Sequence, residues 1–316
     1  MLQRKEPEDR EFGIYCKSFH ADFEHLSLLL ESFAAHNPDR LTLTISLPRA
    51  DIHPFRSRFG SRLPYVEVVA DEDYCDRDYS DLPGWHAQQV SKLNSWRIMN
   101  VSRYVIVDSD CYAIRDILSA EFRPQTRDFL AYGSLVRTVL KSDNVDLIDF
   151  IRGKTAVDKP IPRPQTTEDN LASYLKYRTG NLDNPGPLER SAIPMKVFGA
   201  KQWIYYQPGQ IFCREVVVAL MDYLRDHGLK ASDLIRISPW EYNWYGEFIA
   251  SRFFERTEFR ISPFVHFQEE SDIVFAQSLG ITEAELSKHF VFIQMAARHC
   301  DRKRLDLEPQ FAPSTL

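Results

Sequence analysis

Two carboxylates, Asp108 and Asp110, flank Ser109 at the carboxyl end of the apolar run Tyr104-Val105-Ile106-Val107. The β-formers before them and Cys111-Tyr112-Ala113-Ile114 after them argue for a strand end, although a short Asp-Ser-Asp can also be a turn that caps its own backbone. In strand geometry residues two apart share a face, and a turn at Ser109 lets both side chains reach one hard cation, Mg²⁺ or Mn²⁺. A divalent ion there would bridge a nucleotide diphosphate and neutralise charge growing on the leaving group. Ligands of α/β sheets bind at such carboxyl ends.

Other residues could serve the same chemistry. Gln88 and Lys92 lie four apart on an expected helix and project from one side of it. Lys92 can reach a phosphate or sugar hydroxyl as a three-donor point charge, or lie along a solvated face. Lys17, just after the first strand, has the same two readings. Asp71 and Asp73 follow the third strand, where a carboxylate can accept the ring N–H of a uracil or simply belong to a solvated loop. The segment Pro239-Trp240-Glu241-Tyr242-Asn243-Trp244-Tyr245-Gly246-Glu247 places aromatic rings beside a carboxylate at a helix start. Trp240, Tyr242 and Tyr245 can pack on the C–H faces of an acceptor sugar, and Glu241 can take a proton from its hydroxyl. The spacing of Trp240, Trp244 and Phe248 is equally that of a core stripe. His266, among apolar neighbours, is either a core residue or a third metal ligand beside Asp110.

These residues need a scaffold, and the pattern supplies one. Phe12 to Tyr15 reads as a strand. Phe23, Leu26, Leu29, Leu30 and Phe33 then recur at helical spacing. Leu41, Leu43, Ile45 and Leu47 alternate with Thr42, Thr44 and Ser46, which predicts a strand with one polar face. Tyr65 to Val69 is a third strand, and Gly84 to Met99 a helix feeding the strand before Asp108. This alternation predicts a mostly parallel sheet with helices on both faces. Farther on, strands are expected at 129–132, 203–206, 211–213 and 261–267, and helices at 145–151, 215–225 and 240–254. Lys159 to Pro164 reads as a proline-rich surface loop. A last helix begins at Thr282 with Glu285 three residues on, a capping box. One domain over residues 10–300 is expected, with a nucleotide-binding half (10–115), an irregular acceptor-side half (116–300) and a tail (301–316).

The 316 residues carry a net charge of −6, with 44% hydrophobic and 27% charged residues, which indicates a globular chain and argues against nucleic-acid capture. Five cysteines without a Cys-x-x-Cys pair suit reduced thiols. No apolar run reaches membrane-span length and the start does not read as a signal peptide, so the expected location is cytoplasmic, including the periphery of the inner membrane.

The ordered set Gln88-x-x-x-Lys92, Tyr104 to Asp110, Trp240-Glu241-Tyr242 with Tyr245-Gly246, and His266 resembles GT-A-type glycosyltransferases, in particular a bacterial polysaccharide-biosynthesis group of the DUF6492 type. The resemblance spans roughly residues 10 to 270. It implies a GT-A-like, Rossmann-type sheet, a nucleotide-diphosphate-sugar donor (UDP-sugar favoured), Mn²⁺ or Mg²⁺, and sugar transfer to a glycan or glycoconjugate hydroxyl. It further implies Asp110 as direct metal ligand, Asp108 on the ribose or the metal's water, Ser109 at the donor, His266 completing the metal shell and Glu241 as base of an inverting reaction. Two other classes remain: a nucleotidyltransferase acting on sugar phosphates, for which Ile14-Tyr15-Cys16-Lys17-Ser18 lacks a glycine-rich phosphate loop, and a non-catalytic nucleotide-sugar binder.

Overall fold

The computed structural model describes residues 11–60, 63–76, 79, 81–155, 161–164, 170–175, 190–200, 204–206 and 209–296. The expected tail at 301–316, Trp203, and parts of the proline-rich segment lie outside them.

Alternation of apolar residues builds the central sheet. Strands β1 (Phe12–Lys17), β2 (Leu43–Leu47), β3 (Val66–Ala70) and β4 (Arg103–Asp108) run parallel, with β1 between β2 and β4. Helices α1 (Phe23–Ala35) and α2 (Ile52–Phe59) share a core cluster with Ile14, Cys16, Val105 and Val107. The odd-and-even partners Tyr15, Tyr104 and Ile106 belong to a second cluster with Val90 and Leu93 of α3 (Gly84–Asn94). β1 and β4 are therefore packed on both sides, as central strands of a parallel sheet require, while Glu67 of the edge strand β3 is exposed. The polar face expected for β2 is present but buried: Thr44 and Ser46 are out of solvent, and the Ser46 hydroxyl donates to Asp71.

The second half is more regular than its sequence suggests. Beyond β5 (Cys111–Ala113), β6 (Phe129–Ser134) lies between β7 (Tyr205–Tyr206) and β9 (Thr257–Arg260), while β8 (Ile211–Cys213) joins the main sheet antiparallel to β4. A third sheet has the order β10 (Phe264–Phe267), β11 (Phe292–Met295), β5. The helix expected after Pro239 runs Glu241–Phe253, and Thr282 makes its capping box at the single turn Glu283–Leu286. Strands β9 and β11 and the helix Glu270–Ser278 are not foreshadowed by the periodicity. β11 lies in the continuous run Phe290-Val291-Phe292-Ile293-Gln294-Met295, buried with no alternation to announce a strand.

Candidate functional site

The site is built where β4 ends. Period-2 geometry directs Tyr104, Ile106 and Asp108 to the α3 side of the sheet, so Asp108 meets the helix that carries Lys92. Lys92 is 3% exposed, far from a solvated face. Its ammonium lies 2.6 Å from Asp108 Oδ1 and 3.2 Å from Glu241 Oε1. Burial by itself would lower the Lys92 pKa, but the two carboxylates outweigh it and hold the ammonium firmly charged. Glu241 begins its helix at 2% exposure, and burial raises its pKa against the opposing effect of Lys92. Its Oε2 has no hydrogen-bond partner among the described residues. This differs from the expected base open to an acceptor: Glu241 enters the site as the second counter-ion of Lys92.

β4 ends at Asp108, and Ser109 and Asp110 form the turn into β5. The Ser109 hydroxyl donates to Asp22 Oδ2 at 3.0 Å, adding a carboxylate that sequence reasoning passed over; burial raises its pKa. Both motif carboxylates converge on one amide. Gln294 Nε2 lies 3.0 Å from Asp108 Oδ2 and 3.1 Å from Asp110 Oδ1. β11 is fixed there by its pairing with β5 and by a bond from the Met295 N–H to the Asp110 carbonyl.

His266 sits opposite Gln294 in the β10–β11 register. Burial lowers its pKa to about 4 against the opposing effect of the neighbouring Gln294 side chain, so the imidazole is neutral, and its Nε2 makes no well-formed hydrogen bond among the described residues. Among the described residues no three His, Cys, Asp or Glu side chains form a group that could hold a metal. Asp108, Asp110 and His266 are thus not a ready ligand triad, because Gln294 stands against the two carboxylates.

The remaining expected residues divide between site and scaffold. Lys17 and Asp71 are buried against each other at 2.9 Å, and Asp71 also takes the Ser46 hydroxyl. Tyr74 links Ser46 at 2.7 Å to Tyr15 at 2.7 Å, closing a buried network across the carboxyl ends of β1, β2 and β3. Asp71 is therefore structural rather than open to a base, and Asp73 faces Arg49 on the exposed side. Tyr245 is core: it stacks on Phe212 at 4.3 Å and its hydroxyl accepts the Cys213 N–H. Gln88 and Tyr242 are half-buried. Trp240 meets Trp85, an unexpected exposed ring on α3, edge to face at 5.8 Å. These two rings come from the N-terminal ends of the helices that carry Lys92, in the last turn of α3, and Glu241.

No curated protein sequence matches the chain. Among solved structures it is similar to the galactosyltransferase LgtC in complex with donor and acceptor sugar analogs, at 8% identity over 90% of this chain and 87% of that one, TM-score 0.43. It is also similar to the apo form of the bifunctional glycosyltransferase WbbM (12% identity, 93% of this chain, 47% of that one, TM-score 0.45) and to S. aureus TarS (11%, 79%, 35%, TM-score 0.38). No helix among the described residues is long and apolar enough to cross a membrane. From within β1 to just past β6, over residues 14–137, the chain matches the model of DUF6492, a family of unknown function, in agreement with the resemblance carried by the Asp-Ser-Asp strand.

Proposed function

We propose that this chain is a glycosyltransferase of surface polysaccharide synthesis that moves a sugar from a nucleotide-diphosphate sugar to a hydroxyl of a glycan or glycoconjugate. Asp108 and Asp110 would hold Mn²⁺ or Mg²⁺. The reading is carried by one observation: the two carboxylates lie side by side at the end of the central parallel strand, each within hydrogen-bond reach of the same Gln294 nitrogen. Carboxylate oxygens suit hard divalent cations. Around Lys92 the carboxylates outnumber the ammonium, so the site keeps negative charge for a cation to neutralise.

When bound, the cation would supply charge neutralisation for the departing nucleotide diphosphate. Lys92 fixes Asp108 from behind, and Glu241 keeps Lys92 in place. Ser109, held by Asp22, sets the turn that brings Asp110 alongside Asp108. Trp240 and Trp85 form an aromatic rim that suits the C–H face of a sugar ring. The resemblance makes a UDP-sugar the first donor to examine, with the base read by groups other than Asp71, which is engaged by Lys17.

Calorimetry with UDP and GDP in the presence of Mn²⁺ tests this. Asp110→Asn should lose Mn²⁺-dependent nucleotide binding while melting close to the parent, because Asp110 lies at a turn outside the apolar core. Equal binding by parent and variant would remove the assignment, and tighter binding of GDP than UDP would overturn the uridine part alone. With an acceptor in hand, NMR of the new linkage reads the stereochemistry, and retention excludes Glu241 as base.

A further inference from the structure

We propose that Gln294 is a cation-sensing ligand of this site: its carboxamide bridges Asp108 and Asp110 when no ion is bound and turns over to present its oxygen when one arrives. The inference rests on the reading of the two aspartates as cation ligands. An amide nitrogen has two N–H donors, and here they are directed to Asp108 Oδ2 and Asp110 Oδ1 at 3.0 and 3.1 Å. The weakly positive NH₂ thus stands where a cation would satisfy the same two oxygens.

The other end of the amide, Oε1, is left without a well-formed hydrogen bond among the described residues, and Gln294 is 9% exposed. A buried acceptor left so is destabilising, because it has given up its water without a replacement. Directly across the β10–β11 register, His266 is 5% exposed with Nε2 in the same condition. The two side chains already lie against each other without a well-formed hydrogen bond, and a half-turn of the amide about its last torsion gives the imidazole a donor. Nε2 would then donate to the neutral imidazole, and Oε1 would face the aspartates. Three oxygens facing one point repel one another unless a cation lies between them, so the turned state belongs to the loaded site. Gln294 thereby supplies the third donor that no His, Cys, Asp or Glu among the described residues provides, and His266 acts through it as a positioning residue.

The probe is Mn²⁺ alone, titrated into the full chain and followed by the electron paramagnetic resonance of the free aqua ion. Gln294→Leu should weaken Mn²⁺ binding by about 10- to 100-fold. Unchanged or tighter binding would overturn the proposal, because a mere bridge between carboxylates competes with the ion and its removal would free the site. Gln294→Glu gives a second readout that does not depend on the first variant folding. Its three carboxylates should make Mn²⁺ raise its melting temperature more than that of the parent, and an equal or smaller rise would count against ligation. Absence of Mn²⁺ binding by the parent itself would overturn both this inference and the functional reading; binding by the parent with indifferent Gln294 variants overturns only this one.

Discussion

Replacing Lys92 by Met tests the electrostatic frame of the site most directly. Its ammonium lies 2.6 Å from one carboxylate and 3.2 Å from another. At an effective dielectric constant of 20 these separations correspond to attractions of about 6 and about 5 kcal/mol. Taking the ions out of water offsets much of this, at several kcal/mol per ion. Methionine fills nearly the same volume but leaves Asp108 and Glu241 buried with their shared counter-charge gone. Breaking such a buried pair costs about 3–5 kcal/mol, a large share of a typical domain's roughly 5–15 kcal/mol. The loss must depend on pH. A carboxylate deprived of its ammonium has a folded pKa above its unfolded one, so it favours folding at low pH and loses that contribution as pH rises through the folded value. Urea unfolding of Lys92→Met followed by circular dichroism should show the full loss at pH 8 and a smaller one at pH 5. Adding Glu241→Gln should recover part of it, because one of the stranded charges is gone. A loss under about 1 kcal/mol at pH 8, or the same loss at both pH values, would refute the reasoning.

Two further outcomes follow from the helix Glu241–Phe253. Glu247 is 3% exposed, lacks a hydrogen-bond partner for Oε2 among the described residues, and has its pKa pushed by burial up to about 8. Its raised pKa favours folding at low pH and that contribution fades as pH climbs toward 8, by up to about 1.4 kcal/mol per pH unit, so the parent's melting temperature should fall between pH 5 and pH 8. Glu247→Gln should flatten that fall; a variant with the parent's slope would exclude Glu247 as its source. Gly246 lies against Tyr206, whose ring an added Cβ would meet well inside van der Waals distance, and the same ring also lies against Gly133. Gly246→Ala should therefore destabilise by about 1–3 kcal/mol in urea unfolding although alanine is the better helix former, and a variant as stable as the parent would show that the ring yields.

Much of the scaffold was legible in the residues themselves. Ile14, Cys16, Val105 and Val107 alternate with Tyr15, Tyr104 and Ile106, and this two-residue period, read with the helical spacing of Phe23, Leu26, Leu30 and Phe33, fixes strands, helices and the end of the strand at which Asp108 emerges. Local sequence carries such information because strand and helix periods are properties of neighbouring residues. The partners of each charge were not legible. Spacing alone leaves Lys92 either a ligand-reaching or a surface lysine; its burial follows from the packing of α3 on the face of the sheet that Asp108 occupies. Sequence alone leaves Asp71 either a ligand-reading or a loop carboxylate; its burial against Lys17 at 2.9 Å follows from the pairing of β1, β2 and β3. Gln294, far along the chain in an apolar run, reaches the aspartates only because β11 pairs with β5. Sequence by itself determined where a strand would deliver two carboxylates, but not that Asp22, Trp85 and Gln294 would join them. The tertiary structure decided which charges neutralise one another, because ion pairs and the burial that strengthens them depend on distances between elements that no local period encodes.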